Sequence, residues 1–347
     1  MNLVLNLVLN LILGQRGLLV SSGFFLYVIS QVVFSQDIAE TTRQVPSTSN
    51  ARLDINVNFC ETEPNTQLCS VLPQDITDFS SSFVYMTIEP TAQNPFDLFS
   101  WKSFVALNWP TDSGETDDFL SIGDVPSSAR AWQHYEGPNE LFGLNTMTAC
   151  KENLEALEEG NSMLKLAEYL QASGQPLIDQ SGNYVIYDVR VNDALSHYIE
   201  QNQLDTLVGQ RTFKESGQEI EFPLGYYDNI ETKLGGSVGA IELKTAWRIL
   251  DPLIDDTSRY FVRDALIALE ASAVESGEAR CFDVQVGLVG MHIVQRTRSG
   301  NGGDWIWSTF EHVDNAPMAD NARGPNSIFA RTLFPDGCQA EKMAART

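Results

Sequence analysis

The residues of this chain best placed to do chemistry are two histidines near its end, His292 and His312. Both sit in strand-like segments, CFDVQVGLVGMHIVQRTR over 281–298 and DWIWSTFEHVD over 304–314, separated by Ser299-Gly300-Asn301-Gly302-Gly303. Glycine and asparagine in a short connection favour a tight reversal, so the pair predicts a β-hairpin. With the turn centred near Asn301, the even-numbered residues of both strands share a face. The first strand then contributes Phe282, Val284, Val286, Leu288 and His292, and the second Ile306, Phe310 and His312. Two imidazoles from neighbouring strands can hold one zinc, copper or iron ion, or ligate a non-covalent haem. Asp314 has the parity of His312, and with Glu311 it is the nearest group suited to hydrogen-bond a ligating imidazole or to act as an acid or base. The plainer alternative is a pair of core histidines satisfied by Ser308 or by backbone.

The odd-numbered face of the second strand carries Trp305, Trp307, Thr309 and Glu311. Alternating tryptophans can stack on a sugar or another flat ligand, with Glu311 accepting hydrogen bonds. The competing reading places both indoles in a core beneath a helix.

Other motifs are weaker. Gly235-Gly236-Ser237-Val238-Gly239 matches G-x-S-x-G, but a nucleophile elbow needs an apolar strand before the serine and a helix after it. Here YYDNIETKL precedes and an alternating, strand-like stretch follows, so a turn is expected. His134 and His197 read as boundary residues able to complete a metal or haem site. Asp117-Asp118 and Asp255-Asp256 lack the spacing of a calcium loop.

The elements that must position these groups follow from pattern. PFDLFSWKSFVALN after Asn94 has a helical apolar stripe closed by Trp109-Pro110. Ser82–Ile88 predicts a strand, Glu152–Leu170 a helix, and Gln175–Val191 two strands about Ser181-Gly182-Asn183. Asn192 caps a helix reaching about Leu204. Val238–Leu250 alternates as a half-buried strand, with Glu242, Lys244 and Arg248 on the polar side, away from the histidines. Arg259–Ala273 begins strand-like and ends helix-like. Late strands joined by hairpins predict an α+β fold with a largely antiparallel sheet and helices packed on it.

Residues 1–35 read as a signal peptide, with an apolar run after Arg16 ending at Val33-Phe34-Ser35, the alternative being an uncleaved membrane anchor, and 36–58 as a polar leader. A single domain is expected over 59–347, secreted or periplasmic, with no stable membrane insertion once the signal is cleaved. The 347-residue chain has 46 acidic against 22 basic residues and a net charge of −24. That balance excludes nucleic acid as a partner, since phosphates demand positive charge. A hydrophobic content of 43% is ample for a core. Five cysteines in an exported chain suggest disulfides, a local Cys60–Cys69 bridge and one further bridge among Cys150, Cys281 and Cys338.

The segments FDLFSWKSFVALNWP, QPLIDQSGNYVIYDVRVN, GAIELKTAWRIL, VGLVGMHIVQRT and WIWSTFEHVDNAP resemble those of a family of secreted bacterial proteins of unassigned function. Some of these are described alongside cytochromes. The resemblance covers most of the mature chain and implies a leaning toward redox chemistry, without the Cys-x-x-Cys-His motif of covalent haem. Two readings result. One is an exported metal- or haem-dependent enzyme, redox or hydrolytic, at His292 and His312; the other is a protein binding a small molecule or glycan on the Trp305/Trp307 face.

Overall fold

Asn94-Pro95 opens helix α1 (Asn94–Leu107) with the φ-locked proline in its first turn, where no backbone donor is lost. This computed structural model describes residues 70–76, 94–111, 122, 128–157, 163–171, 173–229, 235–298 and 305–315. All belong to one compact unit, Asn58–Thr347. The expected signal peptide, polar leader, Cys60–Cys69 bridge, Ser82–Ile88 strand and Asp117-Asp118 pair lie outside the described residues.

After α1 come short helices α2 (Pro138–Phe142) and α3 (Lys151–Glu155), then strands β1 (Leu164–Leu166) and β2 (Ile186–Val191). Helices α4 (Asp193–Gln201) and α5 (Leu207–Glu215) follow. Strands β3 (Ile241–Ile249), β4 (Val262–Leu269), β5 (Arg280–Arg296) and β6 (Trp305–Glu311) complete the sheet. The order is β1-β4-β5-β3-β2, with β6 also on β5. Only β1 with β4 is parallel among these pairings, so the α+β expectation holds in the form of a mixed sheet. No helix among the described residues is long and apolar enough to cross a membrane.

The main core lies on one side of the sheet. Ile241, Leu243 and Trp247 of β3, Met291 and Ile293 of β5, and Ile267 of β4 are buried there with Leu107 and Trp132. Helix α1 covers this side through Phe104 against Phe310, with ring centroids 4.3 Å apart, and through Ser103 hydrogen-bonded to Gln295. On the opposite side Leu266 and Ala268 pack around the Cys150–Cys281 disulfide, which spans 131 residues. Cys281 therefore takes Cys150 as its partner among the candidates.

Several expectations need correction. The helix expected over 152–170 is only the single turn or so of α3, and Leu164–Leu166 is a strand beside β4. DALIALEASA has helical composition, yet Asp264–Leu269 belongs to β4, because a full ladder to β5 supplies partners that outweigh local propensity. Asn192 does cap α4, its side chain accepting from Leu195 N–H. The G-x-S-x-G stretch is a turn: Gly236 sits at φ +91°, and β3 rather than a helix follows it.

Candidate functional site

The β5–β6 ladder decides which side chains meet. His292 stands opposite Thr309, Val294 opposite Trp307 and Gly290 opposite Glu311. A turn centred on Asn301 would have put Phe310 opposite His292; the true register differs by one residue. Because side chains alternate with a period of two, that slip exchanges the whole face of one strand. Ile306, Ser308 and Phe310 turn instead to the α1 side, Phe310 meeting Phe104 and Ser308 Oγ bonding Ser100 Oγ at 2.7 Å.

His292 therefore belongs to the tryptophan-bearing face. The next strand over extends it: Lys244 lies opposite His292, Glu242 opposite Val294, and Ala246 opposite Gly290. Beyond β3, Val191, Val189 and Tyr187 of β2 stand against Glu242, Lys244 and Ala246. A bridge from Tyr187 to Glu168 brings in one more carboxylate. The expectation that Glu242 faces away from His292 is overturned by the same register.

This face holds charges that burial works against. Glu242 is 5% exposed between Val191 and Val294, and its Oε2 has no hydrogen-bond partner among the described residues. Burial pushes its carboxyl up to about 7, with nearby Lys244 opposing. Burial lowers the Lys244 ammonium, against the pull of Glu168 and Glu242, and Lys244 Nζ lies 4.3 Å from the Tyr187 ring centroid. Burial raises Glu168, which also accepts from Leu170 N–H. His292 is lowered by desolvation and then by Lys244, while Glu311 pulls the other way; its Nδ1 lies 2.9 Å from Thr309 Oγ1. An imidazole and an ammonium lowered by burial thus share one patch with a carboxyl raised to about 7. Such a patch can pass a proton to or from a bound hydroxyl group.

Trp307 projects from this face and is 55% exposed. Trp305 has the same parity but is half-buried, edge-on to Phe222 at 5.7 Å, with Tyr198 of α4 behind. The two-indole platform is thus a single open indole. A groove of about 450 Å³ runs along β6, lined by Trp307 and Thr309 on one side and by Asp97, Ser100 and Trp101 of α1 on the other. Trp101 is itself 46% exposed.

The remaining expected residues are held by other partners. His312 lies past the end of β6, stacked on Tyr260 at 4.4 Å, its Nε2 2.9 Å from Arg259 O and its Nδ1 accepting from Asp314 N–H. Asp314 is held by both arms of Arg259, at 3.0 and 2.7 Å. The register thus takes His292 off the apolar face that was expected to carry both histidines. Among the described residues no three His, Cys, Asp or Glu side chains are grouped as metal ligands. Asp255 pairs with the buried Arg248 at 2.9 Å, alongside Asp179 at 3.1 Å.

His292, Glu311 and Trp307, each singled out from the sequence, share this face with Glu242, Lys244 and Glu168, which the sequence reading did not place beside them. The signal was present in GAIELKTAWRIL, whose charged positions alternate with its apolar ones; the error lay in treating that polar side as solvent-facing. No protein family, curated protein or solved structure matches the chain.

Proposed function

We propose that the chain is an exported binding protein that takes a glycan or a hydroxyl-rich small molecule against Trp307. The observation that carries this reading is the exposed Trp307 indole on one face with His292, Thr309 and Glu311. An open indole offers an apolar plane for a sugar ring, and the polar groups beside it match hydroxyls. Export is supported by the apolar run over 18–34 and by the Cys150–Cys281 bridge, which persists in an oxidising compartment.

A second reading, hydrolysis of that same ligand, draws on Glu242. A carboxyl pushed up to about 7 can serve as a proton donor or acceptor at neutral pH, with His292 beside it. The metal-dependent form of this reading has no third ligand to draw on among the described residues, where no three His, Cys, Asp or Glu side chains are grouped.

The test is tryptophan fluorescence and calorimetry against soluble malto-, cello- and chito-oligosaccharides. Saturable binding lost in Trp307→Ala supports the proposal. Binding untouched by that substitution, or no binding across the panel, contradicts it. Release of shorter sugars, abolished in Glu242→Gln while binding remains, would establish the hydrolytic reading.

A further inference from the structure

One end of the sheet, where β2 and β4 begin and β3 and β6 finish, holds large apolar side chains out in solvent. Leu253, in the connection from β3 to β4, is 95% exposed. Ile254 beside it, Ile178 in the turn before β2 and Val313 just past β6 are each more than half exposed. Contiguous apolar surface of this kind marks a place where a protein or a membrane docks.

The four side chains share one support. The buried Arg248 guanidinium is bonded to Asp179, Asp255 and the Tyr260 hydroxyl at 3.1, 2.9 and 3.3 Å, and Tyr260 stacks on His312. Asp179 follows Ile178, Asp255 follows Ile254, and His312 and Asp314 flank Val313. Asp179, Asp255 and Asp314 are buried, while the apolar residue next to each faces outward. The inward ion pairs thus fix three separate segments and present their apolar neighbours together.

The backbone of the tip decides between the two kinds of partner. Within Asp251-Pro252-Leu253-Ile254-Asp255 every N–H is bonded inside the turn itself. Asp251 N–H donates to Asp255 Oδ2 at 2.8 Å and Leu253 N–H to Asp251 Oδ1 at 2.9 Å. The Ile254 and Asp255 N–H groups donate to Asp251 O at 3.0 and 2.7 Å, and Pro252 has no donor. A backbone entering lipid must satisfy its own polar groups, and these donors already do. The exposed Asp251 and Asp256 flank the tip, and the chain carries a net charge of −24, so anionic headgroups repel it. We infer that Ile178, Leu253, Ile254 and Val313 form a docking surface for a zwitterionic lipid layer of the phosphatidylcholine kind, with Leu253 and Ile254 entering the acyl boundary. Such peripheral attachment needs no spanning helix and does not depend on the glycan reading.

The probe is a dioleoylphosphatidylcholine vesicle, offered to the full chain carrying Leu253→Trp, which keeps the tip apolar and reports from it. The added emission should shift to shorter wavelength with vesicles and be quenched by lipids brominated near the headgroup end of the acyl chain. Replacing part of the lipid by phosphatidylglycerol should weaken the response, and Ile254→Asp in the same chain should abolish it. Both positions are exposed, so these variants leave the packing intact, and the local signal is separate from any binding by the N-terminal apolar run. Added emission that stays water-like with phosphatidylcholine would overturn the inference, as would a response unmoved by Ile254→Asp or strengthened by phosphatidylglycerol. A shift that grows with protein concentration in the absence of vesicles would also overturn it, by making this surface a contact between protein molecules.

Discussion

His292 Nδ1 and Thr309 Oγ1 lie 2.9 Å apart across the β5–β6 ladder, and this one pairing fixes which groups share the open face. It brings His292 to Trp307 and Glu311 and, through β3, to Lys244 and Glu242.

The first consequence concerns Trp307. Its indole is more than half exposed, so truncation removes ligand surface and little packing. Trp307→Ala is expected to weaken oligosaccharide binding by at least tenfold while changing stability by no more than about 0.5 kcal/mol. Calorimetric titration and urea unfolding of the same variant check both halves.

Glu242 sets a pH dependence of stability. Its carboxyl is raised from 4.5 to about 7 by burial, so the folded state favours the protonated form. Stability from this group is fully present below pH 4.5 and is lost as pH rises through about 7. The loss is on the order of 3 kcal/mol. Glu242→Gln should flatten that slope and be the more stable protein at pH 8. Urea midpoints at pH 5 and pH 8 for both proteins measure it; parallel slopes would contradict the buried-carboxyl account.

His292 titrates below its ordinary value because burial and then Lys244 disfavour the imidazolium. Lys244→Met removes the second cause, so the midpoint should rise toward 6.5 without reaching it. Proton NMR of the ring signals reads the change. A midpoint unmoved by the substitution would place Lys244 outside the patch.

How far the sequence reaches is clearest in this hairpin. Both strands and their antiparallel pairing were legible in 281–314, because alternation is local. The register was not, since a Ser-Gly-Asn-Gly-Gly connection admits loops differing by one residue, and one residue exchanges the faces. Helix α1 and the Asn192 cap were likewise local and came out as expected. Residues 264–269 did not, because the strand partner that overrides their helical composition lies at 280–285. The companions of His292 were hidden for the same reason: Lys244 and His292 are 48 positions apart and meet only through the β3–β5 ladder.

Asp314 is assigned here to architecture. It is bonded twice by Arg259, and its backbone N–H donates to His312, apart from the Trp307 patch. Asp314→Ala should cost about 1–3 kcal/mol of stability and leave ligand affinity unchanged. Loss of binding in a fully folded variant would return this residue to the site.

The Cys150–Cys281 bridge closes a loop of 131 residues. Chain-entropy arguments give about 3–5 kcal/mol for such a closure. Urea unfolding with and without dithiothreitol should show a drop of that size, and an unchanged midpoint would argue against the bridge.

The most direct measurement is a two-dimensional NMR titration with whichever oligosaccharide binds, following the Trp307 indole N–H and the His292 ring together with those of Trp132 and His312. Trp307 and His292 should move along one saturation curve while Trp132 and His312 stay still. Joint movement of His292 and His312, with Trp307 unaffected, would contradict the shared face and restore the two histidines as the centre.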